Sequence, residues 1–192
     1  MHNKKKSIAS IILIGVVAIV SLAGCASKGG DAAAKEEENT VGIANPWVDI
    51  DEKEAGELCR NLFVMPEGAT NVRWYKCESL GDPDKGIGPL VQANFVYDGM
   101  DFCARAQQGA AEDTDISGVY ADWAVGPEDA TLVTPDGGSM PGKAYRAIDE
   151  EGYRDLITWY DGGISAKYSL TVEASDLDGF DIQAVAEQML RP

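Results

Sequence analysis

Val91-Gln92-Ala93-Asn94-Phe95-Val96-Tyr97-Asp98-Gly99-Met100-Asp101-Phe102-Cys103-Ala104-Arg105-Ala106 is a stretch that carries its own register. Val91, Ala93, Phe95 and Tyr97 alternate with more polar positions, the two-residue period of a strand with one buried face. Asp98-Gly99 is then a two-residue turn of the type that needs positive φ. Phe102, Ala104 and Ala106 continue the alternation beyond it. Pairing across the turn sets Tyr97 opposite Met100, Phe95 opposite Phe102 and Ala93 opposite Ala104. Both strands therefore bring their apolar residues to one face, and the stretch reads as an antiparallel hairpin.

Outward from the hairpin the same period recurs. Val72–Glu78, Val119–Val125, Ala130–Thr134, Ala144–Ile148, Leu156–Tyr160 and Ile164–Glu173 are candidate strands. In the last, Ile164, Ala166, Tyr168, Leu170 and Val172 alternate with Ser165, Lys167, Ser169, Thr171 and Glu173, which describes one dry and one wet face. At both ends the period changes to that of a helix. Ala55, Leu58, Cys59 and Leu62 form one stripe behind Asp51-Glu52-Lys53-Glu54, a capping-box pattern, and Met65-Pro66-Glu67-Gly68 ends it. Ile182, Val185, Ala186 and Met189 form another behind Asp178 and Asp181. Helices that bracket strands predict an α+β fold: an antiparallel β-sheet covered on one face, with an N-terminal and a C-terminal helix.

The chain has 192 residues with 16 Lys+Arg, 32 Asp+Glu, one His and four Cys, a formal charge of −16. Its first six residues include Lys4, Lys5 and Lys6, and Ile8–Val20 is an apolar run broken only by Ser10. That run is shorter than the ~20 residues that span a bilayer, so it reads as a secretory leader. Leu22-Ala23-Gly24-Cys25 resembles the bacterial lipobox, which implies a signal peptide over 1–24 and a diacylglyceryl group on Cys25. Two acyl chains give stable anchoring where one is marginal. Residues 25–40, small and charged, read as a flexible tether, and 41–192 as a single extracytoplasmic domain. Removing the three leader lysines from 16 basic residues leaves 13 against 32 acids, a formal −19. A nucleic-acid partner is excluded by that charge. His2 leaves with the leader, so imidazole chemistry is excluded too.

In an exported protein Cys59, Cys77 and Cys103 are disulfide candidates, and three thiols make at most one bridge. Cys103 falls on the hairpin face opposite Phe95 and Phe102, which favours Cys59–Cys77 among three open pairings; the alternative is three buried thiols that pack as small hydrophobes. No Ser-His-Asp, Cys-His, His-Glu-x-x-His or Gly-x-Ser-x-Gly arrangement is present in the mature chain, and Gly86-Ile87-Gly88 lacks the third glycine of a nucleotide fingerprint. Asp113, Asp115 and Ser117 match the first half of a calcium loop, but Ala124 stands where the bidentate Glu belongs. The alternative is a turn in which Asp115 or Ser117 bonds its own backbone. Of the four tryptophans, Trp74 and Trp123 lie inside strand patterns, and Trp47, beside Pro46, is the candidate for stacking on a ligand.

Ala104-Arg105-Ala106-Gln107, Asp115-Ile116-Ser117-Gly118-Val119-Tyr120, Thr158-Trp159-Tyr160-Asp161-Gly162 and Tyr168-Ser169-Leu170 resemble an uncharacterised domain family of Gram-positive lipoproteins, as does Asn45-Pro46-Trp47. Gln107 stands where that family has a basic residue and Val119 where it has an acid. The resemblance implies an extracytoplasmic lipoprotein and no reaction. The expectation is a membrane-held, non-enzymatic binding or envelope-associated module with no cofactor and no catalytic residue. Its partners would be the membrane, through Cys25, and an envelope protein or cell-wall component. The alternatives are a cell-wall glycoside hydrolase with a carboxylate pair, or an envelope-sensing domain.

Overall fold

The structure, a computed structural model, describes residues 45–149 and 152–191. The leader, Cys25 and the tether lie outside the described residues.

The expected hairpin is β3 (Leu90–Tyr97) and β4 (Met100–Gln108), with Tyr97 opposite Met100, Phe95 opposite Phe102 and Ala93 opposite Ala104. Asp98 and Gly99 sit at φ +50° and +75°, matching the twist of the strands they join. The other strands are β1 (Val48–Ile50), β2 (Thr70–Cys77), β5 (Val125–Val133), β6 (Ser139–Asp149), β7 (Gly152–Asp161) and β8 (Ala166–Ala174). All neighbours are antiparallel, in one sheet ordered β1-β2-β3-β4-β8-β7-β6-β5.

That architecture corrects the α+β expectation: the fold is mainly β. Its helices, α1 (Glu52–Leu58) and α2 (Ile182–Gln188), have seven residues each, too few to be stable without the sheet. Asp51 caps α1, its carboxylate accepting from the Glu54 N–H at 2.8 Å. The helix nevertheless stops at Leu58, with Cys59 extended and Asn61 at φ +57°. Gly56 costs a helix about 1 kcal/mol relative to Ala, and the last turn has no basic residue to offset the dipole. Cys59 and Leu62 are buried as their spacing suggests, but from non-helical backbone.

Both helices pack on one face of the sheet. There Ala166, Tyr168, Leu170 and Val172 of β8 join Phe95, Phe102, Ile157 and Trp159, and α2 adds Ile182, Val185, Ala186 and Met189. Phe95 stacks on Phe102 at 5.3 Å and Trp159 on Tyr168 at 5.3 Å. Each such side chain contributes about 1.5–3 kcal/mol when fully buried, so this layer is the main source of stability. A half-buried ion pair adds orientation: Arg146 Nε and Nη2 donate to Asp155 Oδ1 and Oδ2 at 2.6 and 2.5 Å, and Nη2 also reaches the Phe180 carbonyl at 3.4 Å.

The sheet is open, and its edges are blunted. Gln183 Nε2 of α2 donates to the Thr131 carbonyl at 2.9 Å, and Glu187 Oε1 accepts from the Val133 N–H at 3.0 Å. These side chains occupy outward groups of β5 that another strand would need, and the opposite edge, β1, offers three residues.

Strand order leaps once. β4 pairs with β8 while β5 lies at the far edge, so Gly109–Ala124 must cross the sheet. Val119–Val125, expected as a strand, is irregular up to Ala124; only Val125 begins β5. No strand pairs with Val119–Ala124, and Tyr120 is 92% exposed, so its apolar alternation has no sheet to fill.

Candidate functional site

The face away from the helices is mostly polar, with an apolar patch of Cys77 and Leu90 beneath Ile116. The two-residue period that sends Tyr168 and Leu170 inward sends Lys167 and Ser169 outward, and the same holds on every strand. One cross-strand row runs through all eight: Asp49, Tyr75, Gln92, Arg105, Ser169, Thr158, Lys143 and Asp129. Lys167, beside Tyr160, belongs to the next row.

The Gly109–Ala124 segment runs over this face and is pinned at two places. Near its middle, Arg105 Nη1 donates to the Ile116 carbonyl at 3.1 Å while Nε donates to Gln92 Oε1 at 2.8 Å. Ile116 itself is buried against Cys77, Leu90 and Trp47. Gly118, at φ +64°, leaves room for that guanidinium; a Cβ there would stand 2.2 Å from Arg105 Nη1. At the far end Trp123 packs on Tyr145 of β6, ring centroids 5.2 Å apart. Asp115 Oδ1 accepts from the Ser117 N–H at 2.8 Å and the Ser117 hydroxyl at 2.7 Å, and Ser117 Oγ accepts from the Val119 N–H at 3.2 Å. Connections longer than ~12–15 residues are uncommon and usually functional; this one is held by its own turns.

Between the pinned loop and strands β5 to β8 lies a groove of about 1000 Å³. Lys167, Thr158 and Tyr160 form part of its floor, Lys143, Asp129 and Tyr145 one side, and Glu112, Asp113, Asp115 and Trp123 the loop side. Its two lysines differ. Lys143 is ion-paired with Asp129 across β5 and β6, and the hydrogen bond between them raises the ammonium and holds the carboxyl below the usual carboxylate range. Lys167 is 7% exposed and, among the described residues, has no ion pair within 4.0 Å. Desolvation lowers its pKa, opposed by the charges of Glu112, Asp115 and Asp113.

Several sequence candidates land elsewhere. Trp47 is half-buried with the Arg105 guanidinium 5.2 Å from its ring centre, so the stacking surface expected there is occupied by the protein itself. Cys59, Cys77 and Cys103 are free thiols. The favoured Cys59–Cys77 bridge is not formed: Cys59 belongs to the core under the helices, Cys77 to the small cluster on the opposite face. Asp113, Asp115 and Ser117 border the groove, and of their oxygens Asp115 Oδ1 and Ser117 Oγ are engaged in the turn. Among the described residues no group of three His, Cys, Asp or Glu could hold a metal.

Sequence reasoning missed Lys167 and Trp123. Lys167 stood on the wet side of the clearest strand, where a lysine is ordinary. Trp123 was absorbed into a strand that does not form. Glu112, Asp113, Asp115 and Asp129 do bring carboxylates to one groove, as a glycosidase would require. Asp129 is neutralised by Lys143, and Asp115 Oδ1 is engaged by Ser117. Comparison of the chain with protein-family models, curated proteins and solved structures found no match.

Proposed function

We propose that this chain is an extracytoplasmic binding module, tethered to the membrane through a lipid on Cys25, that takes a small polar ligand in the groove beneath the Gly109–Ala124 loop. The observation that carries the reading is the groove itself, with a mostly buried lysine on its floor that has no ion pair among the described residues. Ligand sites of ~300–1000 Å³ that combine aromatic walls with a few placed polar groups are the usual form of small-molecule pockets. Catalysis is not part of the reading. A glycosidase needs a carboxyl kept protonated near neutral pH, and the groove carboxyl with a shifted pKa, Asp129, is shifted the wrong way.

Two measurements test it. Cys25→Ala should move the protein out of the membrane fraction; retention at wild-type levels would sink the anchor. Titrating the full-length protein in non-ionic detergent with soluble cell-wall fragments should perturb the Trp123 indole signal and leave that of core Trp159 in place. Perturbation of neither, or cleavage of the fragments, would overturn the binding-module reading.

A further inference from the structure

We infer that the ligand of this groove is a carboxylate-bearing sugar, mono- or disaccharide in size, whose carboxylate docks on the ammonium of Lys167. The inference rests on the binding-module reading and names its ligand class. Lys167 is 7% exposed and has no ion pair among the described residues, and its ammonium, which is not among the sealed polar atoms, opens on the groove that it lines; a cation so placed is only partly hydrated. Glu112, Asp113 and Asp115 act on it through space but none comes within 4.0 Å. Room for an anion is therefore left beside the one groove lysine that Asp129 does not neutralise. An exposed carboxylate brought by a ligand completes the pair and makes charge-assisted hydrogen bonds.

The rest of the groove selects what carries that carboxylate. Carboxylates of the loop and the Thr158 hydroxyl accept hydrogen bonds from hydroxyl groups, and Trp123 and Tyr160 offer apolar ring surface with a polar edge. A polyol with an apolar C–H face uses both; a simple aliphatic acid uses neither. A polyanion is disfavoured, because the loop acids and the formal −19 of the mature chain repel every charge beyond the one that Lys167 neutralises.

The test compares four probes on the full-length protein in non-ionic detergent: D-glucuronate, D-glucose, acetate and the dipeptide alanyl-alanine. Glucuronate should bind at least tenfold more tightly than glucose, and acetate and the dipeptide more weakly than glucuronate. Lys167→Gln should remove the preference for glucuronate while glucose affinity stays put, and Lys53→Gln, on α1 away from the groove, should keep it. Equal affinity for the two sugars, or a preference that survives Lys167→Gln, overturns the inference and leaves a groove that binds neutral sugar. A dipeptide that outcompetes glucuronate overturns the sugar class. No response to any probe, with cell-wall fragments still binding, overturns the inference alone; no response to fragments either overturns the binding-module reading beneath it. If Lys167→Gln does not fold, Lys167→Met replaces it: loss of the glucuronate preference supports the assignment, and a preference that survives overturns it.

Discussion

The guanidinium of Arg105 lies 5.2 Å over the ring of Trp47. Through that one side chain β4 holds the entry of the domain on one side and the crossing loop on the other, because the same group donates to the Ile116 carbonyl. Arg105 thereby positions the loop that walls the groove without itself bordering it.

Replacing Arg105 by Ala removes the bonds to Gln92 and Ile116 together and uncovers Trp47. A loss of about 2 kcal/mol is expected, the scale of charged hydrogen bonds broken in a part-buried setting. Hydrogen exchange should quicken over Ile116–Ala124 while the amides of β3 and β8 stay protected. Gly118→Ala should act on the same latch from the loop side, since its Cβ would collide with Arg105 Nη1 and φ +64° is strained for alanine. Unchanged exchange in both variants would show that the loop is held elsewhere.

Asp155→Asn strips the charge from the partner of Arg146 in a place where Asp155 is 3% exposed. Breaking one side of this half-buried pair is expected to cost about 2 kcal/mol, the scale of charged hydrogen bonds, read as a lower midpoint in urea at unchanged slope. Asp129→Asn, at an exposed pair, should move the midpoint little.

Lys167→Met should stabilise the protein by at most about 1 kcal/mol, because a partly desolvated ammonium with no ion pair among the described residues is replaced by an apolar chain of similar length. The sign also appears in pH. Burial lowers the pKa of Lys167 in the folded state, so the unfolded chain holds the proton more tightly, and wild-type stability should gain from this residue as pH rises through the folded pKa toward the ordinary lysine value. Lys167→Met should lack that contribution, and thermal melts of the two proteins across alkaline pH measure it. A variant less stable than wild type at neutral pH would contradict the unpaired state of this lysine.

The three domain cysteines should all alkylate after denaturation without reductant, as free thiols do. In the native protein, burial pushes the Cys59 thiol up to about 12, so iodoacetamide should leave it unmodified at neutral pH. Cys103 is half-buried, and its thiol is raised by burial but eased by Arg105. It should react before Cys59. A native mass deficit of two hydrogens would instead establish a bridge that this arrangement of thiols lacks.

The hairpin of β3 and β4 was legible because each of its determinants is local: period two, an Asp-Gly turn, and cross-strand partners a few residues apart. β8 was legible for the same reason, and so was the buried stripe of α2. The first helix was only half legible. Burial of Cys59 and Leu62 follows from apolarity alone, whereas their conformation depended on whether about one more turn of helix outweighed Gly56 and a close fit to the sheet. Weighing the two helices equally with the strands is what led to α+β. Seven-residue helices behind eight strands are a cover for the sheet, not a second layer of equal weight.

By itself the sequence determined the alternation of dry and wet residues and the strand register at the tight turn. Only the tertiary structure decided which strands lie side by side, and with that everything about the groove. Because β4 pairs with β8 and β5 sits at the far edge, Gly109–Ala124 has to traverse the polar face. That path turns Lys167 from one of many solvated lysines into a buried one and brings Trp123 onto Tyr145. Periodicity is a property of neighbouring residues, set by backbone geometry; sheet order is a sum of long-range pairings that no window of sequence contains.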